Sequence, residues 1–311
     1  MIVVEDFQLT LFDRLEVIKL TNERFNLLEK SYISLSGGKD STILYYLIDE
    51  ALPGNKIPRV FIDTGIEFAY IREFIMDLAS KDDRIVIIKP TLPIKSTLEK
   101  YGYPFKSKPH SHYLKVYQNS GMTNYVKDYV DQVNKVYKCP TKLTYQFTSD
   151  FKIKCSEKCC IKMKEQPSER WSKTNHKTIN LTGVRKEEGG ARSTLKGCIF
   201  VNKKGNIKFH PLFPVTEEWE DWYIKKNNIK LCKLYYPPFN FTRTGCKGCP
   251  NSKNLQKDLD TMQELLPNER KQCEYIWKPI YDEYRRIGYR LRKKGEHRQL
   301  NLFDLIYEVK E

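Results

Sequence analysis

The sequence predicts an α/β fold built on a parallel β-sheet. Short apolar runs alternate with helical patterns through the first 90 residues, and the runs at 32–35, 59–63 and 84–89 have the length of buried strands. The first run leads directly into a glycine-rich turn that opens a helical pattern, whereas Pro90 ends the third run. Alternation of short strands with helices at this period is typical of βαβ units, whose strands pair in parallel.

The helices between these strands follow from the same patterning. Apolar residues spaced over 11–28 predict a helix before the first strand, and the run that begins at Thr42 predicts the helix after the glycine turn. A further helix is expected near 67–80. Strand patterning returns at 178–182, and a later helix is expected to begin after Thr216 as its N-cap.

Two segments lie outside this alternation. Residues 90–150 carry polar, aromatic and basic side chains and predict an insertion with one long helix near 112–137. The last 55 or so residues predict two helices that break at Pro267. We therefore divide the chain into a first domain, residues 1–250, which carries the insertion, and a C-terminal helical segment, residues 251–311.

The balance of charges favours an anionic partner. The 311 residues carry 54 Lys and Arg against 39 Asp and Glu, a net charge of +15. Such a charge favours nucleic acid or an anionic substrate, although a lysine-rich soluble surface would have the same composition. No apolar run reaches 18 residues, and Glu5 and Asp6 stand where a signal peptide carries basic residues, so we expect a cytoplasmic protein without a membrane span. Nine cysteines in such a chain indicate reduced thiols and a metal site rather than disulfides.

The most specific pattern is the glycine-rich turn after the first strand. Its residues are Ser36, Gly37, Gly38, Lys39, Asp40 and Ser41. A turn of this kind leaves backbone N–H groups at a positively polarised helix N-terminus, and two glycines let an anion approach closely. Lys39 adds a full positive charge, and Asp40 is expected to cap the helix or to orient Mg²⁺ through water. The turn is therefore predicted to bind phosphate, although it lacks the spacing of a Walker loop.

This turn resembles the PP-loop, S-G-G-x-D-S, of the ATP pyrophosphatase and phosphoadenylyl-sulfate (PAPS) reductase superfamily. The resemblance implies a parallel five-stranded sheet flanked by helices, of the adenine-nucleotide α-hydrolase type. It also implies that residues 1–250 form a nucleotide-binding domain whose loop holds the phosphates of ATP or a related adenine nucleotide.

Four of the nine cysteines form two close pairs. Cys159 and Cys160 are adjacent, and Cys246 and Cys249 form a C-x-x-C motif flanked by glycines. Four thiolates suit a 4Fe–4S cluster or a structural zinc ion. Adjacent cysteines are awkward for zinc, but Cys155 with Cys159 would restore a zinc-like spacing. Buried thiols without a metal are the third interpretation.

The cysteines stand in segments that resemble the iron–sulfur adenylyl-sulfate (APS) reductases. Residues 159–167 resemble C-C-x-x-R-K-x-x-P, with Lys164 at the matching lysine and methionine in place of the arginine. Residues 243–250 resemble R-T-G-C-x-x-C-P, and residues 183–192 are similar to G-x-R-x-x-E-S-x-x-R, with glycine in place of the serine. The resemblance spans roughly residues 30–250. It implies that the four cysteines hold a 4Fe–4S cluster.

The same resemblance implies a set of site residues beyond the loop. Arg185 and Arg192 would hold phosphate or sulfate oxygens with their forked donors, unless they form surface ion pairs with neighbouring glutamates. Lys164 would place positive charge beside the cluster and the substrate. Further nucleotide contacts would come from Asp63, Thr64, Gly65 and Gly183. The residues expected to carry catalysis are Lys39, Asp40, Arg185 and Arg192.

Two reaction classes fit the resemblance. In ATP pyrophosphatase chemistry an acceptor oxygen attacks the α-phosphorus, pyrophosphate leaves, and sulfur later displaces AMP, as in tRNA thiolation or DNA phosphorothioation. In APS or PAPS reduction a thiolate attacks the sulfonyl sulfur, and the reductases carry it in a C-terminal E-C-G-x-H tail. The sequence shows no such tail, and its last cysteine is Cys273.

We therefore expect an ATP-using sulfur-transfer enzyme that acts on nucleic acid, with a cysteine desulfurase or another protein as sulfur donor. APS or PAPS reduction is the alternative, and a nucleotide-binding protein without catalysis of its own is the third interpretation. The acceptor and the oligomeric state stay open.

Overall fold

The fold is built on a mostly parallel β-sheet. The computed structural model describes residues 6–188, 195–202, 205–293 and 295. Within them the sheet has six strands: β1 (Ser31–Leu35), β2 (Arg59–Ile62), β3 (Ile85–Ile88), β4 (Ile179–Leu181), β5 (Ile199–Val201) and β6 (Ile207–Phe209). They lie in the order β3-β2-β1-β4-β6-β5, in which only β5 is antiparallel to its neighbour. The α/β fold is confirmed, but the sheet has six strands where the resemblance implies five, because the antiparallel edge strand β5 adds to five parallel strands.

The described residues also form twelve α-helices. They are α1 (Phe7–Phe25), α2 (Leu27–Lys30), α3 (Lys39–Ala51), α4 (Ala69–Ala79), α5 (Ile94–Tyr101), α6 (Lys108–Ser120), α7 (Asn124–Val130), α8 (Lys158–Cys160), α9 (Gln166–Thr174), α10 (Glu217–Lys226), α11 (Leu255–Leu265) and α12 (Pro267–Ile287). A π-helical turn, Ile161–Glu165, joins α8 to α9. The N-cap at Thr216 is confirmed, since its hydroxyl accepts the backbone N–H of Trp219 at 3.2 Å. None of the described helices has the length and hydrophobicity that crossing a bilayer requires.

The single long helix expected near 112–137 is wrong. The chain forms α6 and α7 there instead, and Gly121 lies between them with φ of +69°. This left-handed conformation ends a helix and suits glycine, which has no β-carbon. Thr123 then caps α7 by accepting the backbone N–H of Val126 at 3.4 Å.

The described chain divides into two compact units, each made of two segments. The first unit draws on Met1–Lys100 and Lys158–Lys247, and the second on Tyr101–Glu157 and Gly248–Glu311. The insertion and the C-terminal helices therefore belong largely to one unit. The domain boundary between residues 250 and 251 stays a prediction.

The core of the first unit packs the central strands β1 and β4 against helices α3 and α10. Ile33 of β1, Leu181 of β4 and Ile43 and Leu47 of α3 are fully buried in it, together with Trp219 of α10. Burial of each large apolar side chain contributes about 1.5–3 kcal/mol. Helices α3 and α10 are thus held in place by the same hydrophobic core.

A buried histidine lies in the second unit. His110 Nε2 donates to Gln146 Oε1 at 2.7 Å, so Nδ1 accepts from the Tyr129 hydroxyl at 2.8 Å. Burial lowers the pKa of His110 to about 4. Tyr113 stacks on Tyr129 with ring centroids 3.9 Å apart. His110 is therefore a neutral, hydrogen-bonded part of this unit's interior.

Candidate functional site

The loop between β1 and α3 is held by its own hydroxyl groups. The backbone N–H of Ser36 donates to Ser41 Oγ at 3.1 Å, and that of Gly38 donates to Ser36 Oγ at 3.3 Å. Ser41 Oγ donates in turn to the Gly38 carbonyl at 3.0 Å. Gly37 has φ of +73°, and a β-carbon there would come within 2.9 Å of the Ile71 side chain. Glycine is therefore required at this position for both conformation and space.

A tyrosine from a distant segment completes the loop. The backbone N–H of Lys39 donates to the Tyr235 hydroxyl at 2.9 Å, and this hydroxyl also lies 2.8 Å from Thr244 Oγ1. Three backbone N–H groups of the loop, on Ser36, Gly38 and Lys39, thus point at hydroxyl oxygens. Tyr235 could not be found from the sequence, because 196 residues separate it from Lys39.

The loop opens into a cavity of about 640 Å³. The cavity lies where the strand order reverses around β1, between β2 and β4. Ligands of open α/β sheets bind in the crevice at such a switch point, outside the carboxyl ends of the strands. Besides loop residues, its lining includes Ser34, Asn180, Lys164, Gly183, Arg185 and Thr244. The structure thus brings most of the predicted nucleotide residues together.

Lys39 is held by three carboxylates of α10. Its Nζ lies 3.3 Å from Glu217 and 3.4 Å from both Glu220 and Asp221. Burial opposes the charge of Lys39, but these carboxylates outweigh it and raise the pKa of Lys39 above its ordinary value. The lysine is therefore charged and already paired in the absence of a ligand.

Arg185 is the second cation of the cavity and is paired in the same way. Its Nε lies 3.0 Å from Asp40 and 3.2 Å from Glu220, and its Nη1 lies 2.7 Å from Glu187. Burial opposes its charge, whereas Glu220 and Asp40 raise its pKa on balance. The Asp40 carboxylate, expected to cap α3, faces Arg185 instead, and Gly38 occupies the N-cap position.

Glu220 joins these two cations, and no motif in the local sequence predicts this role. It is fully buried, at 0% exposure. Burial and the nearby Asp40 carboxylate raise the pKa of Glu220 to about 9, against the lowering influence of Arg185 and Lys39. The available signal was a glutamate beside Trp219 on a helix whose neighbouring aromatic residues are buried.

Gly183 lets the end of β4 approach α3. A β-carbon at this residue would lie 2.7 Å from the Asp40 carbonyl oxygen and 2.8 Å from its carbonyl carbon. Contacts this short to backbone atoms cannot be relieved by a side-chain rotation. The close approach of β4 and α3 at this cavity therefore depends on the absence of a side chain at Gly183.

The Asp63–Gly65 segment lies elsewhere than expected. Asp63, Thr64 and Gly65 line a second cavity of about 500 Å³, also within the first unit. Glu67 lines both cavities, and its carboxylate accepts the Thr64 hydroxyl at 2.6 Å and the Thr64 backbone N–H at 3.0 Å. These three residues therefore line a different cavity from the phosphate loop, whereas the resemblance placed them with it.

The predicted metal ligands are cysteines with reduced thiols. All nine cysteines are in the described chain, and none forms a disulfide. Among the described residues, no three His, Cys, Asp or Glu side chains are grouped to hold a metal ion. Cys159, Cys160 and Cys246 belong to the first unit, whereas Cys249 belongs to the second. The set of four cysteine ligands stays a prediction.

Lys164 and Arg192 are the remaining predicted site residues. Lys164 lines the cavity. Its pKa is raised, mainly by the nearby Cys246, although burial acts to lower it. Lys164 thus connects the cavity to the first cysteine of the C-x-x-C motif. Arg192 lies outside the described residues.

The chain belongs to the family of phosphoadenosine phosphosulfate reductase domains, whose model matches residues 30–136 and 117–252. An uncharacterized protein of Methanocaldococcus jannaschii is 28% identical over 303 residues, which are 92% of this chain and 57% of that protein. The chain thus spans little more than half the length of this curated relative.

Solved structures with a similar fold include PAPS reductase from Candida auris and NH₃-dependent NAD synthetase from Campylobacter jejuni. The first is 17% identical, with a TM-score of 0.43 over 71% of this chain and 82% of that chain. The second is 14% identical, with a TM-score of 0.40 over 95% of this chain and all of that chain (100%). Similarity at this level carries no argument about function.

Proposed function

We propose, from membership in this family, that the chain binds ATP or a related adenine nucleotide and adenylates an acceptor with release of pyrophosphate. One observation carries the proposal: three backbone N–H groups of the loop donate to side-chain hydroxyls, and the cavity at this loop is also lined by Lys39 and Arg185. A phosphate oxygen presents the same kind of acceptor as a hydroxyl, with more negative charge. On nucleotide binding, phosphate oxygens would replace these hydroxyls as the acceptors of the loop N–H groups.

The chemistry requires charge stabilisation more than proton transfer. The acceptor oxygen forms a bond to the α-phosphorus, the bond to the β-phosphate oxygen breaks, and pyrophosphate leaves with the electron pair. Lys39 and Arg185 would stabilise the charge that develops on the phosphates, and the helix N-terminus of α3 would add to this effect. Mg²⁺ would enter with the nucleotide as part of the substrate.

We further propose nucleic acid as the acceptor and sulfur transfer as the later step, with a sulfur donor such as a cysteine desulfurase. The support is a surface on the second unit, residues 122–138, which combines exposed aromatic and apolar side chains with lysines. Its members include Tyr125, Val133, Val136 and Tyr137, which are 48%, 70%, 75% and 43% exposed, and the exposed Lys127, Lys135 and Lys138. Lysines beside exposed tyrosines suit a nucleic-acid backbone with bases that can stack.

The binding step is tested by calorimetry of ATP with the double variant Lys39→Ala/Ser36→Ala. Loss of a charge and of a loop hydroxyl should weaken binding at least about tenfold, or ~1.4 kcal/mol. Lys56→Ala removes an exposed lysine outside both cavities and should bind as the wild type does. Equal ATP affinity in all three proteins would contradict the proposal.

The reaction class is tested by the product. Release of pyrophosphate from ATP in the presence of tRNA or duplex DNA supports adenylation. Release of sulfite from APS or PAPS would instead assign the alternative, reduction. ATP binding without either product would identify a nucleotide-binding protein without catalysis of its own.

A further inference from the structure

We propose that Glu220 is a positioning residue whose proton weakens the pairing of Lys39 and Arg185 with the protein's own carboxylates and so favours phosphate binding. The inference rests on the proposed function, since it concerns how a nucleotide's phosphates enter the same cavity.

The geometry of Glu220 is unusual for a carboxylate. The side chain is fully buried, and no described N–H group is well aligned with its oxygens. The Asp40 carboxyl is its hydrogen-bonding neighbour, and two carboxyl groups can make that contact only if one of them carries a proton. Its charge partners are Lys39 Nζ, 3.4 Å from Oε2, and Arg185 Nε, 3.2 Å from Oε1. A buried carboxylate without hydrogen bonds is costly, even next to cations, whereas its protonated form has no charge to stabilise.

The groups that face Glu220 come from three elements. Lys39 and Asp40 stand at the start of α3, and Arg185 follows β4. The remaining carboxylates of α10 that contact Lys39 lie on the same helix as Glu220. Burial and Asp40 raise the pKa of Glu220 to about 9, while Arg185 and Lys39 lower it.

Phosphate binding must raise the pKa of Glu220. Phosphates that engage Lys39 and Arg185 cancel the two influences that lower the pKa of Glu220, and they bring further negative charge. The pKa of Glu220 therefore rises when the cavity fills, so the filled protein holds a proton that the empty protein has lost at high pH.

The sign of the pH dependence follows. Below the pKa of the empty protein, about 9, Glu220 is protonated in both states and makes no contribution. As the pH rises above that value, binding must take up a proton, and the ATP affinity falls about tenfold per pH unit for a single linked proton. Lys39 and Arg185 stay charged in this range, because the pKa of each is raised above its ordinary value.

The test is titration calorimetry of ATP into the full chain at pH 8 and about 9.5, in buffers of different ionisation enthalpy, which count the protons taken up. Wild-type protein should bind more weakly at the higher pH and take up a proton there. Glu220→Gln keeps the shape of the protonated side chain without an ionisable group. It should match wild-type affinity at pH 8 and show neither the fall nor the uptake.

Glu218→Gln on the exposed side of the same helix is the matched control and should keep the wild-type pH dependence. An equal fall and equal proton uptake in wild type and Glu220→Gln would overturn the inference while leaving ATP binding intact. A loss of affinity at pH 8 in Glu220→Gln as large as in Glu220→Ala would also overturn it, since the ionised form would then be the one that matters. If wild-type protein binds no ATP at pH 8, the proposed function itself fails.

Discussion

Replacement of Gly183 by alanine tests how tightly the phosphate loop is built against the sheet. The new β-carbon would lie 2.7 Å from the carbonyl oxygen of Asp40, 2.8 Å from its carbonyl carbon and 3.1 Å from its β-carbon. These neighbours are largely backbone in the first turn of α3, so the helix or the end of β4 has to move. Overpacking of this kind costs about 1–3 kcal/mol. That cost is below the ~5–15 kcal/mol that folded proteins usually have, and the variant should still fold.

The displacement acts on the loop itself, because Asp40 belongs to it. We expect Gly183→Ala to lower the free energy of unfolding by about 1–3 kcal/mol in urea titrations followed by circular dichroism. We also expect ATP to bind at least about tenfold more weakly by calorimetry, or ~1.4 kcal/mol. Gly197→Ala is the matched control, since a β-carbon there meets no described atom within 4 Å and its φ is ordinary. A Gly183→Ala protein with the wild-type unfolding midpoint and ATP affinity would refute the steric argument.

Three further predictions concern other parts of the chain. Between about pH 6.5 and 4, the free energy of unfolding of the wild type should fall by about 3 kcal/mol more than that of His110→Gln. The reason is that His110 takes up a proton at about pH 4 in the folded protein but at about pH 6.5 in the unfolded chain. Parallel pH profiles of the two proteins in urea unfolding would contradict this prediction. Protein purified without oxygen should contain about four irons per chain if the paired cysteines hold a 4Fe–4S cluster, and Cys246→Ser with undiminished iron content would reject that ligand set, whereas one zinc per chain would favour zinc. Lys135→Glu with Lys138→Glu should weaken retention of tRNA in gel shifts and flatten its salt dependence, by roughly 0.7–0.9 in the log–log slope per lost phosphate contact; the same change in the two lysines that end α10 should have no effect, and an equal loss there would point to net charge alone.

The basic C-terminal residues show how tertiary contacts change a prediction from charge. The sequence places six basic residues between Arg285 and Lys294, within the C-terminal segment for which two helices are predicted. In the structure α12 ends at Ile287, and Arg285 pairs with Glu274 at 2.6 Å, while Arg292 pairs with Asp260 at 2.5 Å. Lys294 lies outside the described residues. Much of this charge is neutralised by neighbours that no local pattern identifies, which is why the nucleic-acid surface is proposed elsewhere.

The sequence by itself determined the features that depend on local pattern. The strand, glycine turn and helix around residues 31–51, the N-cap at Thr216 and the break at Pro267 are each encoded within a few neighbouring residues. Because backbone conformation and capping act over such short distances, these elements could be placed without a structure.

Only the tertiary structure decided which charges share the cavity. The contacts of Lys39 with α10 and with Tyr235 join residues about 180–200 positions apart, and the contact of Asp40 with Arg185 joins residues 145 positions apart. It also separated Asp63–Gly65 into a second cavity and buried Glu220 between two cations. Burial and charge pairing depend on three-dimensional packing, which a single sequence leaves unspecified, and these two quantities set the pKa of each group in the site.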